Sequence, residues 1–194
     1  MTSRLINIER STRETTIALS LDFDAPHQSV DTGLPFFDHI LTSMAYHGFF
    51  GLTIKADGDV QVDAHHLVED VGIALGSALR QTVQQYGHVE RYGQSLIPMD
   101  EALSEAVVDV SGRPYLVYSA DYPQEYCGLF PTPLIREFLY ALAHNAQINL
   151  HAHCRYGENS HHMAEALFKA LGRAFMTAYR RSDRGEPSST KGVL

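Results

Sequence analysis

Two long stretches of this chain, AHHLVEDVGIALGSALRQTVQQYG from Ala64 and SHHMAEALFKALGRAFMTAYRR from Ser160, open on the same chemistry. His65-His66-Leu67-Val68-Glu69 lies on His161-His162-Met163-Ala164-Glu165. Each stretch has the apolar spacing of a long amphipathic helix, and the first stops at Gly87, a residue suited to a C-cap. The elements before them repeat as well. RLINIER and TTIALSLDFD alternate as half-buried strands do, LPFFDHILTSMAYHG is helical up to Gly48, and FFGLTIKADG is a strand running into a D-G turn. After a connector, HVERYGQSLIP, the series starts again: ALSEAVVDVS and PYLVYSADY as strands about an SGRP turn, TPLIREFLYALAHNA as helix, INLHAHC as strand. The order ββαβα therefore occurs twice. It predicts a duplicated α+β fold, each half a sheet with its helices packed on one face. The repeats run over about 1–90 and 96–182, with a tail at 183–194. In this register Leu52-Thr53-Ile54 lies on Leu150-His151-Ala152, and His39 falls opposite Glu137.

The repeated motif is a set of metal donors. Adjacent helical side chains point ~100° apart, while residues three or four apart share a face. His65 and His66 are therefore poorly placed to serve one ion together. His65 pairs instead with Glu69, and His66 with Glu69 or Asp70. His161, His162 and Glu165 offer the same set on the second helix, and His39 and Glu137 add donors from the shorter helices. Imidazoles mixed with carboxylates suit Mn, Fe, Zn or Ni, and the lack of nearby thiolates argues against a cysteine-rich structural zinc site. His27, His88 and His144 carry no such pattern and read as surface residues; His151 and His153 alternate on a strand, with the surface favoured.

Composition narrows the function. A chain of 194 residues suits one compact domain, and 44 % hydrophobic content is enough for a core. The net charge of -8, without a long Lys/Arg run, argues against nucleic acid or an anionic membrane as the main partner. Cys127 and Cys154 lack C-x-x-C spacing, which fits a reducing cytoplasm. The N-terminus reads as mature protein without a signal peptide, and no apolar run reaches the ~18 residues of a membrane span. Eleven histidines against 15 Lys plus Arg is the unusual count, and it points to a site.

LPFFDHIL, DAHHLVEDVGIALG, PMDEAL, VDVSGRPYLVY, NSHHMAEALFKALGRA and STKGVL together resemble the imidazoleglycerol-phosphate dehydratases, hydro-lyases of histidine biosynthesis, over nearly the whole chain. The resemblance implies a fold of the ribosomal-protein-S5-domain-2-like type and a 24-subunit cage built around Mn ions, two per active site, with active sites at subunit interfaces. It also implies loss of water from imidazole glycerol phosphate to give imidazole acetol phosphate. The electrons left by the departing proton need a sink, and a substrate imidazolate held between two ions would supply one. Glu14 matches a substrate-contacting position of the family, and Arg91, Arg113 and Lys191 match positions that hold phosphate. The adjoining Ser189 and Thr190 are the candidate hydroxyls of the tail, which is one residue longer before the lysine than in the shortest relatives. Where several relatives carry histidine, this chain has Glu137.

Acid–base work requires groups within reach of the substrate. Glu14 leads for proton transfer; Glu165 is either ligand or base; His47 is either catalytic or a helix cap; Asp100 and Glu101 either position water or begin a strand. Two other functions compete with dehydration: a two-metal hydrolase of phosphate esters, and a metal-storage module. Storage leaves Glu14, Arg91, Arg113 and Lys191 idle, and hydrolysis leaves the likeness along the whole chain unexplained. No P-loop or G-x-G-x-x-G is present, so nucleotides are not implied.

Overall fold

A computed structural model describes residues 4–182. The first half runs β1 (Leu5–Ser11), β2 (Thr15–Asp22), β3 (Gln28–Asp31), α1 (Pro35–His47), β4 (Gly51–Gly58) and α2 (His65–Tyr86). The second runs β5 (Tyr92–Met99), β6 (Ala102–Asp109), β7 (Tyr115–Ser119), a small hairpin of β8 (Tyr126–Cys127) and β9 (Phe130–Pro131), then α3 (Leu134–Ala146), β10 (Asn149–Tyr156) and α4 (Ser160–Ala178). The sheets have orders β1-β2-β4-β3 and β5-β6-β10-β7, the same arrangement twice. In each, the last pair is parallel and the other two are antiparallel. The duplicated α+β fold expected from the sequence is present.

Each four-stranded sheet holds one strand more than the periodicity gave, and the second half adds the small β8–β9 hairpin. The stretch taken as a connector, HVERYGQSLIP, is mostly β5, which pairs with β6 from Tyr92↔Asp109 to Met99↔Ala102. Its signal is weak because it is an edge strand with only Gly93 buried, and an edge tolerates Pro98, which has no N–H to give. The strand missed in the first half is β3, at the opposite edge and equivalent to β7, four residues long with Val30 its lone apolar side chain. The inner strands were legible because they alternate: in β6 Ala102, Ser104, Ala106 and Val108 are buried and the residues between them are not.

The helices lie between the sheets. α2 packs on β1 and β2, and α4 on β5 and β6; across the middle, α1 meets α4 and α2 meets α3. Both crossings therefore join one half to the other. They are close because each has a glycine at its centre. A Cβ on Gly76 would sit 2.6 Å from the Leu142 carbonyl oxygen, and one on Gly172 would collide with that of Met44. The core is continuous through both halves, from Leu19 and Phe37 to Phe138, Phe168 and Phe175. Among the described residues no helix is long and apolar enough to cross a membrane.

Candidate active site

The first turn of α4 is set by Asn159, whose side chain accepts from the backbone N–H of His161 at 2.9 Å. This fixes the direction of the two histidines that follow. Their rings stand 84° apart with centroids separated by 6.2 Å, and those of His65 and His66 stand 88° apart at 6.1 Å. Each pair diverges as the helical spacing predicts.

His161 turns towards α1. Its Nε2 lies 3.2 Å from Glu165 Oε2, and Nε2 of His39 on α1 lies 3.0 Å from the same oxygen. One donor atom from each of the three residues lies within 4.8 Å of the others. Two imidazole nitrogens and a carboxylate oxygen converging so closely suit a divalent transition ion. Glu165 is only 8 % exposed, and its other oxygen takes Lys169 Nζ at 2.9 Å. Burial opposes its charge, but Lys169 and His39 outweigh burial and lower its pKa to about 2. Lys169, four residues after Glu165, was overlooked in the sequence, although that spacing gives it away.

His162 turns the other way. Its Nδ1 lies 2.8 Å from Glu101 Oε2, and its Nε2 lies 3.9 Å from Asp100 Oδ2. Both acids belong to the tight β5–β6 turn, where Asp100 adopts a left-handed φ of 48°. The His162 contact lowers Glu101 to about 2, and backbone N–H groups of Glu158 and Asn159 assist. The same contact raises His162.

The first half follows the scheme loosely. His65 Nε2 stands 3.8 Å from Glu69, while Glu137 on α3 holds Arg136 at 3.1 Å. His66 pairs with neither Glu69 nor Asp70, the two partners that helical spacing offered. His66 Nδ1 meets Asp59 at 3.1 Å, an acid from the loop before the helix that helical spacing has no means of finding. Asp70 faces the sheet and is taken by Arg10 and Thr15. Asp59 raises the His66 pKa first, with Glu14 adding to the effect. Glu14 therefore stands on the His66 side of the molecule, exposed in the β1–β2 turn, with its N–H donating to Thr12 Oγ1 at 3.1 Å.

His47 closes α1 within the field of Glu165, Lys169 and Arg173; burial first, then Lys169, holds its imidazole below the ordinary value and favours the neutral form. The candidate phosphate arginines lie elsewhere. Arg91 donates its backbone N–H to the Ala178 carbonyl at 3.0 Å, at the far end of α4 from His162, so about 24 Å of helix separates the two. Its guanidinium grips Asp109 at 2.7 Å. Arg113 is exposed in the β6–β7 turn at that same end of the sheet, its carbonyl accepting from Asn149 at 2.6 Å. Ser189, Thr190 and Lys191 lie outside the described residues.

Comparison with known proteins identifies the family. The family model described as Imidazoleglycerol-phosphate dehydratase matches residues 32–175. Proteins of that name from Pelobacter propionicus and Gluconobacter oxydans are 50 % and 49 % identical to this chain, each over 99 % of it and over 100 % and 98 % of their own lengths. The crystal structure of the Staphylococcus aureus imidazoleglycerol-phosphate dehydratase superposes with a TM-score of 0.83 at 37 % identity, covering 92 % of this chain and 99 % of that one. The Pyrococcus furiosus structure gives 0.84 at 35 %, over 96 % and 100 %. With its duplicated sheets, paired histidines and full-length likeness, the chain belongs to the imidazoleglycerol-phosphate dehydratase family.

Proposed function

We propose that the protein removes water from imidazole glycerol phosphate to give imidazole acetol phosphate, a step of histidine biosynthesis in the cytoplasm, at a divalent-metal centre. The observation that carries this reading is the convergence of His39, His161 and Glu165 within 4.8 Å in a chain about half identical to named dehydratases. The donors fit Mn²⁺, with His65, Glu69 and Glu137 as a second set and His66 and His162 as further ligands. When bound, such ions supply Lewis acidity that lets the substrate ring take up the electrons left by the lost proton.

The chain's own groups do the rest. Glu165 offers a carboxylate that Lys169 and His39 keep ionised at neutral pH. Glu14, at a hairpin tip near His66, is the group assigned to proton transfer, and His47, kept neutral, is able to accept a proton near Glu165. Asp100 and Glu101 orient His162. Arg91, Arg113 and the tail residues Ser189, Thr190 and Lys191 are assigned to the phosphate.

The placement of Arg91 supports a site shared between copies. About 24 Å of helix lies between it and His162, too far for one small substrate to touch both in a single chain. Assembly of further copies, up to the 24-subunit cage implied by resemblance, brings the two ends together. The test is turnover of imidazole glycerol phosphate by chelator-stripped protein with and without Mn²⁺, following ketone and free phosphate in parallel. Metal-dependent ketone without phosphate release is expected. Full turnover in verified metal-free protein overturns the metal centre, and phosphate release overturns the dehydration.

A further inference from the structure

The internal repeat is faithful in its helix crossings and unfaithful in donors. Gly172 meets the Met44 carbonyl at the α1/α4 crossing, and Gly76 meets that of Leu142 at the α2/α3 crossing. Glu137 stands as far before Leu142 as His39 stands before Met44. His65 and Glu69 stand as far before Gly76 as His161 and Glu165 before Gly172. The trio at the first crossing is thus matched at the second by Glu137, His65 and Glu69. One imidazole has become a carboxylate.

We infer that the two trios are unequal metal half-sites: the α1/α4 set, with two imidazoles and one carboxylate, favours Zn²⁺-like ions, and the oxygen-rich α2/α3 set favours Mn²⁺ or Mg²⁺. The inference rests on the metal-centre reading above and deepens it. Imidazole suits Zn and Ni, whereas carboxylate suits Mg and Mn, so exchanging one for the other shifts selectivity. The surroundings sharpen the contrast. Glu165 is buried and fixed between His39, His161 and Lys169, a rigid donor set. The side chains of Glu69 and Glu137 are 46 % and 35 % exposed, and Glu137 is engaged by Arg136. The second set is more open to solvent, leaving room for the water ligands that Mg²⁺ and similar hard cations keep.

The experiment uses full-length protein loaded with Mn²⁺ and challenged with graded Zn²⁺. Mn and Zn retained per chain are counted by elemental analysis after gel filtration, with the Mn²⁺ EPR signal followed alongside. Staged replacement is expected, half of the Mn leaving at a Zn²⁺ concentration at least about tenfold below that needed for the rest. Glu137→His should merge the stages by making the second set as exchangeable as the first. His39→Glu, the reciprocal change, should make both resist. Parallel loss of all Mn from the wild type, or staging that survives Glu137→His, overturns the inequality while leaving the metal centre intact. Retention of only one ion per chain overturns the second set and with it the inequality; retention of none overturns the metal centre as well.

Discussion

Thr15 Oγ1 donates a 2.5 Å hydrogen bond to the buried carboxylate of Asp70, and Arg10 reaches the other oxygen of that carboxylate at 2.7 Å. Asp70 follows Glu69 on α2 but faces the sheet, so one helical turn both offers metal donors and clamps the β1–β2 hairpin. Thr12 continues the clamp, its Oγ1 accepting the N–H groups of Glu14 and Thr15.

Removing the Thr15 hydroxyl with Thr15→Val should cost about 1–2 kcal/mol, because it leaves a buried acceptor short of a donor. Asp70→Ala should cost more, roughly 2–4 kcal/mol, since it also strips Arg10 of its counter-ion. Urea unfolding of both single variants and the double variant measures this. Strict additivity would show that the two residues do not act as a unit. The hairpin tip carries Glu14, so Thr15→Val should also lower kcat several-fold while metal content per chain stays unchanged.

Glu165→Gln keeps the shape of the side chain and removes its charge. Metal affinity at the α1/α4 set should fall at least about tenfold, read directly by equilibrium dialysis with Mn²⁺. Lys169 would then lose its ion-pair partner, so the same variant should also be less stable.

Arg4 is buried, donates to the Tyr179 carbonyl at 2.6 Å and pairs with Asp24 at 3.0 Å, tying the start of the described chain to the end of α4. Burial pushes the Asp24 pKa up, but the Arg4 hydrogen bond and charge, with Arg181, hold it below the ordinary carboxylate value. Its contribution is therefore complete above the unfolded-state pKa and is lost as pH falls through the depressed folded value. Stability measured from pH 6 down through the carboxylate range should fall less steeply in Asp24→Asn than in the wild type. Arg4→Ala should cost roughly 2–3 kcal/mol at neutral pH, at the low end for a broken ion pair because Asp24 is partly solvated.

Gly172→Ala and Gly76→Ala test the helix crossings. Alanine gains about 1 kcal/mol of helix propensity over glycine. The added methyl meets a backbone carbonyl that cannot swing away, and overpacking of this kind costs about 1–3 kcal/mol. A net loss of thermal stability is expected in both variants, and a rise in Tm would show that the helices can part cheaply.

Much of this was legible in the sequence because it rests on short-range periodicity. The divergence of His65 from His66 and the pairing of His161 with Glu165 follow from helical geometry. The meeting of His39 with Glu165 was reachable only through the duplication, which placed α1 and α3 in equivalent roles. What escaped has a common cause. Pro98 hid an edge strand whose side chains are mostly solvated, and Asp59 and Glu101 reach their histidines from turns, where no period relates acid to base. Arg91 was singled out by resemblance to the family. Its attachment to Asp109 at the opposite end of α4 from the histidines is a tertiary fact.

Each helix of one repeat rests on a helix of the other, so neither repeat can cover its own apolar surface. A chain cut at the junction near Glu90 would yield two fragments, each with a sheet and a pair of helices stripped on one side. Alone, they should be soluble only as poorly ordered species; mixed, they should find each other as complementing halves. A crossing of this kind is also one that two identical chains, each a single repeat, would make with each other. On that view Gly76 and Gly172 are one ancestral residue seen twice, and Glu137 opposite His39 marks where the two copies, once fused, became free to differ.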